Sequence, residues 1–135
     1  RMLAEPSAPC GVLFSPWTDL SLSGPSVRRN AALDPILTEA VLDDAARRVA
    51  AGLDRRHPRL SPGLHLPVDG PVLQAHVGGE EILLDDALRL AAVDGADIHV
   101  WEGMPHVFPR ALDTFEAASL ALDIAGAFIR RHLGA

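Results

Sequence analysis

The sequence predicts an α/β fold on a parallel sheet, and three observations carry that expectation. Apolar runs of strand length recur at 11–15, 71–77 and 97–101. Segments with helical spacing of apolar residues lie between and after them, the alternation that builds βαβ units. The first two runs are apolar almost without interruption, as strands covered on both faces must be.

Each element has a local reason. The run at 11–15 reads Gly-Val-Leu-Phe-Ser, a length that suits a strand better than a helix. The stretch 21–62 is longer than a simple crossover needs. It carries one amphipathic helix flanked by Pro, Gly and Ser, and is expected to be an excursion above the sheet, such as part of a cap. Asp34-Pro35 predicts the start of that helix, because Asp caps free N–H groups and Pro is preset for the first helical position. The helix should run to about 51, with Gly52 as its stop. The run at 71–77 is the second strand. A helix over roughly 83–93 follows it and ends at Asp94-Gly95, and 97–101 is the third strand. The last helix should start near Asp113, with Glu116 in capping-box spacing. Phe115, Ala118, Leu122, Ala125 and Ile129 should form its buried face. Arg130, Arg131 and His132 fall in its final turn, where positive charge suits the helix dipole.

Three parallel strands make a poor domain, since strand edges and an apolar face stay uncovered. The 135 residues are therefore expected to be a part of one larger domain, with 21–62 the cap-like excursion and 63–135 the core. By itself such a piece should not be a stable, active monomer. No apolar run reaches the length of a membrane span. No leader is visible after Arg1, and a cytoplasmic location is expected. The net charge is −6, and every basic residue is an arginine, scattered in pairs with acids between them. That pattern describes solvated helix faces and argues against a nucleic-acid partner. The lone Cys10 cannot form an internal disulfide and is expected to be a buried, inert thiol.

Chemistry concentrates in two strings, Val-Gly-Gly-Glu-Glu-Ile-Leu-Leu-Asp-Asp at 77–86 and Trp-Glu-Gly-Met-Pro-His-Val-Phe at 101–108. Each follows the C-terminal end of an expected strand, the edge where open α/β sheets collect catalytic groups. An acid on one loop and a histidine on the next can meet there. The acid would accept a hydrogen bond from the ring Nδ1–H, fix the tautomer and stabilise the imidazolium. The other ring nitrogen could then serve a nucleophile as general base. His106 is the candidate base. Among the other histidines, His76 is expected in the core or ladder, His99 outward or packed, and His57, His65 and His132 at the surface. No His-x-x-x-His or Cys-x-x-Cys spacing occurs, so no metal site is expected.

In this order, the strings resemble the hormone-sensitive-lipase-like esterases, a branch of the α/β-hydrolases. Ser-Pro-Trp-Thr-Asp-Leu at 15–20 resembles the segment after a central strand of that family. Asp34-Pro35 resembles the start of its second cap segment, Ser61-Pro62 the return to the core, and Gly-Met-Pro-His-Val-Phe at 103–108 its histidine loop. The resemblance covers essentially the whole chain. It implies that the catalytic acid falls on Glu81, with Ile82 in the place of the family's proline. Asp85 and Asp86 compete for the role, but lie a helical turn further on and are expected to face solvent or cap the helix. Trp17 and Asp19 could line an acyl pocket, yet a packing aromatic and a turn-capping acid are the expected roles. Met104 and Phe108 are likewise expected to pack.

The family's nucleophile stands in Gly-x-Ser-x-Gly and its oxyanion loop in His-Gly-Gly-Gly. Neither string occurs here. The resemblance thus implies a serine esterase acting on small acyl esters, without a cofactor, whose nucleophile lies in a missing N-terminal half. Alternatives are a peptidase or lactone-opening enzyme of the same fold, or a non-catalytic binding protein on this scaffold. Whether it forms a homo-oligomer is open.

Overall fold

The computed structural model describes residues 8–66 and 70–134. The stretch 1–7, over which no leader is expected, and the core positions 67–69 and 135 lie outside the described residues. Strands β1 (Cys10–Phe14), β2 (Val72–Gly78) and β3 (Asp97–Trp101) form a parallel sheet in the order β1-β2-β3. The pairing puts Phe14 beside His76 and His76 beside His99. Because side chains alternate along a strand, the register fixes two faces. Leu13, Leu73, Ala75 and Val77 share one; Phe14, Gln74, His76, His99 and Trp101 share the other.

Helices cover both faces. Helix α3 (Leu84–Arg89) continues as a 3-10 turn, Leu90–Ala92, and Leu90 and Val93 line an apolar cavity together with Leu13 and Leu73. The long helix α4 (Glu116–Leu133) lies on the opposite face, where Ala118 and Ala121 pack with Phe108 and Trp101. β2, in the middle, is buried on both sides from Gln74 onwards, whereas the outer strand β3 is partly open. Cys10 starts β1, half-buried and unbridged.

The second face holds an unusual polar row. His76 is fully buried and stacks between Phe14 and His99, with ring centres 5.2 and 4.7 Å away. Trp101 Nε1 donates to His76 Nδ1 at 3.2 Å, so His76 carries its proton on Nε2 and donates it to Gln74 Oε1 at 3.0 Å. Burial, with His99 beside it, pushes the His76 pKa down to about 4. His99 packs on this row and pairs with Asp97. His57 and His65 are exposed, and the half-buried His132 packs in a tilted arrangement on Phe128.

Several boundaries differ from the sequence expectation. β1 ends one residue early, because Ser15 turns to φ +49° and leaves the extended conformation. Asp34-Pro35 does not open the amphipathic helix of this stretch. That helix, α2 (Glu39–Ala50), starts at Thr38, whose Oγ1 accepts from Val41 N. Asp34 instead closes a turn by accepting from Ile36 N and Leu37 N. At the other end both Ala51 and Gly52 adopt positive φ. α4 has no capping box, since its first turn follows Phe115 without a side-chain cap. Its buried face is Ala118, Ala121, Ala125 and Phe128, and Leu122 and Ile129 are 40% and 39% exposed. Size explains the rotation. The sheet face beneath carries the large rings, so the helix approaches it with alanines.

The excursion leaves the sheet after Leu20 and contains a short helix, α1 (Ser26–Arg29), as well as α2. Its two ends are tied together. Leu20 N donates to Ser61 Oγ, Ser61 Oγ donates to Arg55 O, and Gly63 N donates to Thr18 O. A Cβ on Gly63 would lie 2.3 Å from Thr18 Oγ1, so only glycine lets the returning chain pass this closely.

Candidate active site

Parallel strands end on one rim, and the loops after β1, β2 and β3 meet there. After β2 the chain turns at Gly78-Gly79, with Glu81 N donating to Gly78 O. The turn folds the Glu81 side chain back over the strand end, where it is fully buried. A buried carboxylate needs donors for both oxygens. Oε1 accepts from Gly78 N at 2.6 Å and from Ser15 Oγ at 2.6 Å. Oε2 accepts from His106 Nδ1 at 2.9 Å.

The histidine loop is fixed by its flanks. Gly103 and Val107 take positive φ and bend the chain on either side of His106. Phe108 is buried against Trp101 as an anchor, with Met104 packed on the same cluster. Val107 N donates to Ser15 Oγ at 2.9 Å. With Nδ1 donating to Glu81, the His106 ring presents Nε2 as its lone-pair nitrogen. No hydrogen bond to Nε2 is found among the described residues. The His106 side chain is 20% exposed, so the ring is reachable while its carboxylate partner is not. Beside it a recess of about 310 Å³ is lined by Ile36, Val107, Phe108 and Arg110, among others. A larger apolar cavity of about 440 Å³, bordered by Leu13, Trp17, Leu73 and Leu90, shares no residue with the acid or histidine loops.

The competing acids are engaged elsewhere. Asp85 accepts from Ser26 N and pairs with Arg29. Asp86 does not face solvent or cap its helix as expected. It is 1% exposed and accepts from Thr18 N and Asp19 N at 2.7 and 2.8 Å, bracing the loop after β1. Burial pushes its pKa up to about 6 against the pull of those donors and of Arg89. Asp19 is also fully buried. Burial raises its pKa, but hydrogen bonds from Ser21, Ser23 and Arg89 outweigh that and hold it far below the usual carboxylate range. It caps a turn, and Trp17 packs on the Leu42, Ile82 and Leu83 cluster.

Four residues around the acid have no role in the sequence reading that matches their place here. Ser15 bridges both loops. Ser26 Oγ donates to Ile82 O, Asn30 Nδ2 donates to Gly79 O and Glu81 O, and Asp34 Oδ2 accepts from Ile82 N. The excursion thus grips the acid loop from above. Their signal in sequence is faint, since Ser, Asn and Asp in a loop fit ordinary turns equally well. Among the described residues no helix is long and apolar enough to cross a membrane.

Comparison with known proteins agrees with this architecture. The family model for the α/β-hydrolase fold matches residues 3–110. An acetyl-hydrolase of Streptomyces hygroscopicus is 36% identical over 140 residues, covering 99% of this chain and 46% of the relative. An esterase of Acinetobacter venetianus is 35% identical over 122 residues, covering 84% of this chain and 40% of the relative. An esterase from the bacterial hormone-sensitive lipase family superposes with a TM-score of 0.88 at 32% identity, covering 96% of this chain and 45% of that one. A hormone-sensitive lipase from a metagenome library gives 0.89 at 30% identity, covering 94% and 45%. The chain thus spans less than half the length of these relatives. It belongs to the α/β-hydrolase fold family, covers a part of that fold, and has esterases of the hormone-sensitive-lipase family as its structural neighbours.

Proposed function

We propose that the protein to which this chain belongs is a carboxylic-ester hydrolase of the serine type, in which His106 is the general base and Glu81 the acid that orients it. The observation that carries the reading is the 2.9 Å bond from His106 Nδ1 to a fully buried Glu81, with the part-exposed His106 lining a recess. A serine supplied from outside residues 1–135 would attack the ester carbonyl. His106 Nε2 would take the serine proton and then give it to the departing alcohol oxygen, and water would repeat the cycle on the acyl-enzyme. Glu81 would hold the ring and stabilise the imidazolium. Donors from the missing part of the domain would hold the oxyanion. The recess beside His106 supports a small acyl ester as substrate, and this chain's own residues call for no cofactor.

Ser15 does not fit the nucleophile's part. Its hydroxyl donates to Glu81, not to the imidazole, and it is 5% exposed. Residues 1–135 alone should therefore be inactive. The test is hydrolysis of a p-nitrophenyl short-chain ester by the full-length protein. His106→Ala should abolish turnover, and Glu81→Gln should lower kcat by about 10⁴-fold, the scale seen when a triad acid is neutralised. Full activity in His106→Ala would refute the assignment.

A further inference from the structure

We propose that Ser15 is a positioning residue for the reaction, and that its single hydroxyl sets the aim of the acid and the place of the histidine loop together. The inference rests on the catalytic reading of Glu81 and His106. The residue sits one position past β1, where its backbone N still donates to His76 O at 2.8 Å and extends the ladder. There the chain enters the left-handed region at φ +49°. A non-glycine residue rarely adopts that conformation, and glycine would hold it with less strain. What serine adds over glycine is its side chain.

That side chain makes the one direct link between the acid and the backbone of the histidine loop other than the Glu81–His106 bond itself, among the described hydrogen bonds. The Oγ–H donates to Glu81 Oε1 at 2.6 Å, and the Oγ lone pair accepts from Val107 N at 2.9 Å. A hydroxyl can do both at once; an ammonium or a methyl cannot. The bond to Oε1, together with that from Gly78 N, pins one carboxylate oxygen and leaves Oε2 directed at the imidazole. The bond to Val107 N holds the residue adjoining His106. Deleting the hydroxyl frees the carboxylate to rotate and leaves a backbone N–H without its partner, so both ends of the Glu81–His106 bond loosen.

Two variants separate this from a purely structural role. Ser15→Ala removes the hydroxyl and keeps the strained backbone; Ser15→Gly removes the hydroxyl and relieves it. In the full-length protein both should lower kcat by about 10- to 100-fold, the cost of a misplacement on the scale of 1 Å, with KM within about two-fold. The downfield Nδ1–H proton resonance of His106 should broaden or move in both, and stay in place in the exposed control Ser119→Ala. A strain-only role predicts that Ser15→Gly keeps kcat and the resonance. That result, with His106→Ala inactive, would overturn the assignment of Ser15 alone. An active His106→Ala would overturn the catalytic reading and this inference with it. Should Ser15→Ala fail to fold, Ser15→Gly decides the matter by the same two measurements.

Discussion

Gly78 is the position where one methyl group should cost the most. It is the last residue of β2, and its φ is not in the left-handed region, so the constraint is space rather than conformation. A Cβ there would lie 2.0 Å from Met104 O, 2.7 Å from Met104 C and 3.0 Å from Pro105 O. All three are backbone atoms, so no rotamer change relieves the clash. Contact at about 3.4 Å requires one side to retreat by about 1.4 Å. The strand cannot be the side that yields. Val77 is fully buried, and Gly78 N donates to Glu81 Oε1. The histidine loop must move instead. A retreat of that size takes the 2.9 Å His106–Glu81 bond beyond hydrogen-bond range unless the ring swings to compensate.

Gly78→Ala should therefore lower kcat/KM on a p-nitrophenyl short-chain ester by about 10²-fold or more. Overpacking should also destabilise the protein by about 1–3 kcal/mol. Gly79→Ala is the matched control. Its nearest neighbours lie at 3.3–3.4 Å, and the closest is the flexible end of Glu102. It should keep activity within a few-fold. Near wild-type kcat/KM in Gly78→Ala, or equal losses at the two glycines, would refute the claim that this contact seats the histidine.

Two further predictions concern stability. His76 titrates at about 4 in the fold and 6.5 when unfolded, so within that window the unfolded chain binds the extra proton and stability falls as pH falls. Asp86 titrates at about 6 in the fold and 3.8 when unfolded, so there the folded chain binds the extra proton and stability falls as pH rises. The two slopes oppose each other between pH about 4 and 6, each about 1.4 kcal/mol per pH unit. Denaturation of Asp86→Asn across that range should thus show stability dropping more steeply towards low pH than in wild type, and parallel curves would contradict it. Asn30→Ala should cost about 2 kcal/mol by leaving the carbonyls of Gly79 and Glu81 without their donor. Asn30→Asp, which sets a carboxylate against the same two oxygens, should cost more; denaturation midpoints in urea that rank the two the other way would contradict this contact.

Apolar periodicity made most of the fold legible in the sequence, because strand burial is written in local runs. β3 coincides with the run at 97–101, and β2 lies one residue beyond the run at 71–77. The misreadings share a cause. Asp34 has the right chemistry for a helix cap, and its carboxylate does close a turn, but its second oxygen is claimed by Ile82, 48 residues away. Asp86 sits in a helix's first turn, where an acid usually stays in solvent, but the loop after β1 folds two N–H groups onto it. On α4 the large residues Leu122 and Ile129 suggest one face, and packing against rings selects the alanines beside them. In each case a partner remote in sequence decides the role of a residue whose local signal is ambiguous. His106 was visible as a candidate because it follows a strand end, whereas the choice of Glu81 over Asp85 and Asp86 came from the family resemblance. Ser15 was not visible, because nothing local distinguishes a bridging hydroxyl from a turn serine.

The polar contacts around Glu81 divide into two groups, and the division bears on what the excursion does. Gly78 and Ser15 belong to strand ends and hold the carboxylate itself. Ser26, Asn30 and Asp34 belong to the excursion and hold the backbone of 79–82, with Ser26 also bonded to Asp85. Aim is thus set by the sheet, and height above the rim by the excursion. A displacement of the excursion would move the acid loop as a body while the bonds to Oε1 resist rotation of the carboxylate. The 2.9 Å bond between Glu81 and His106 is therefore held from the sheet side, by the two donors to Oε1.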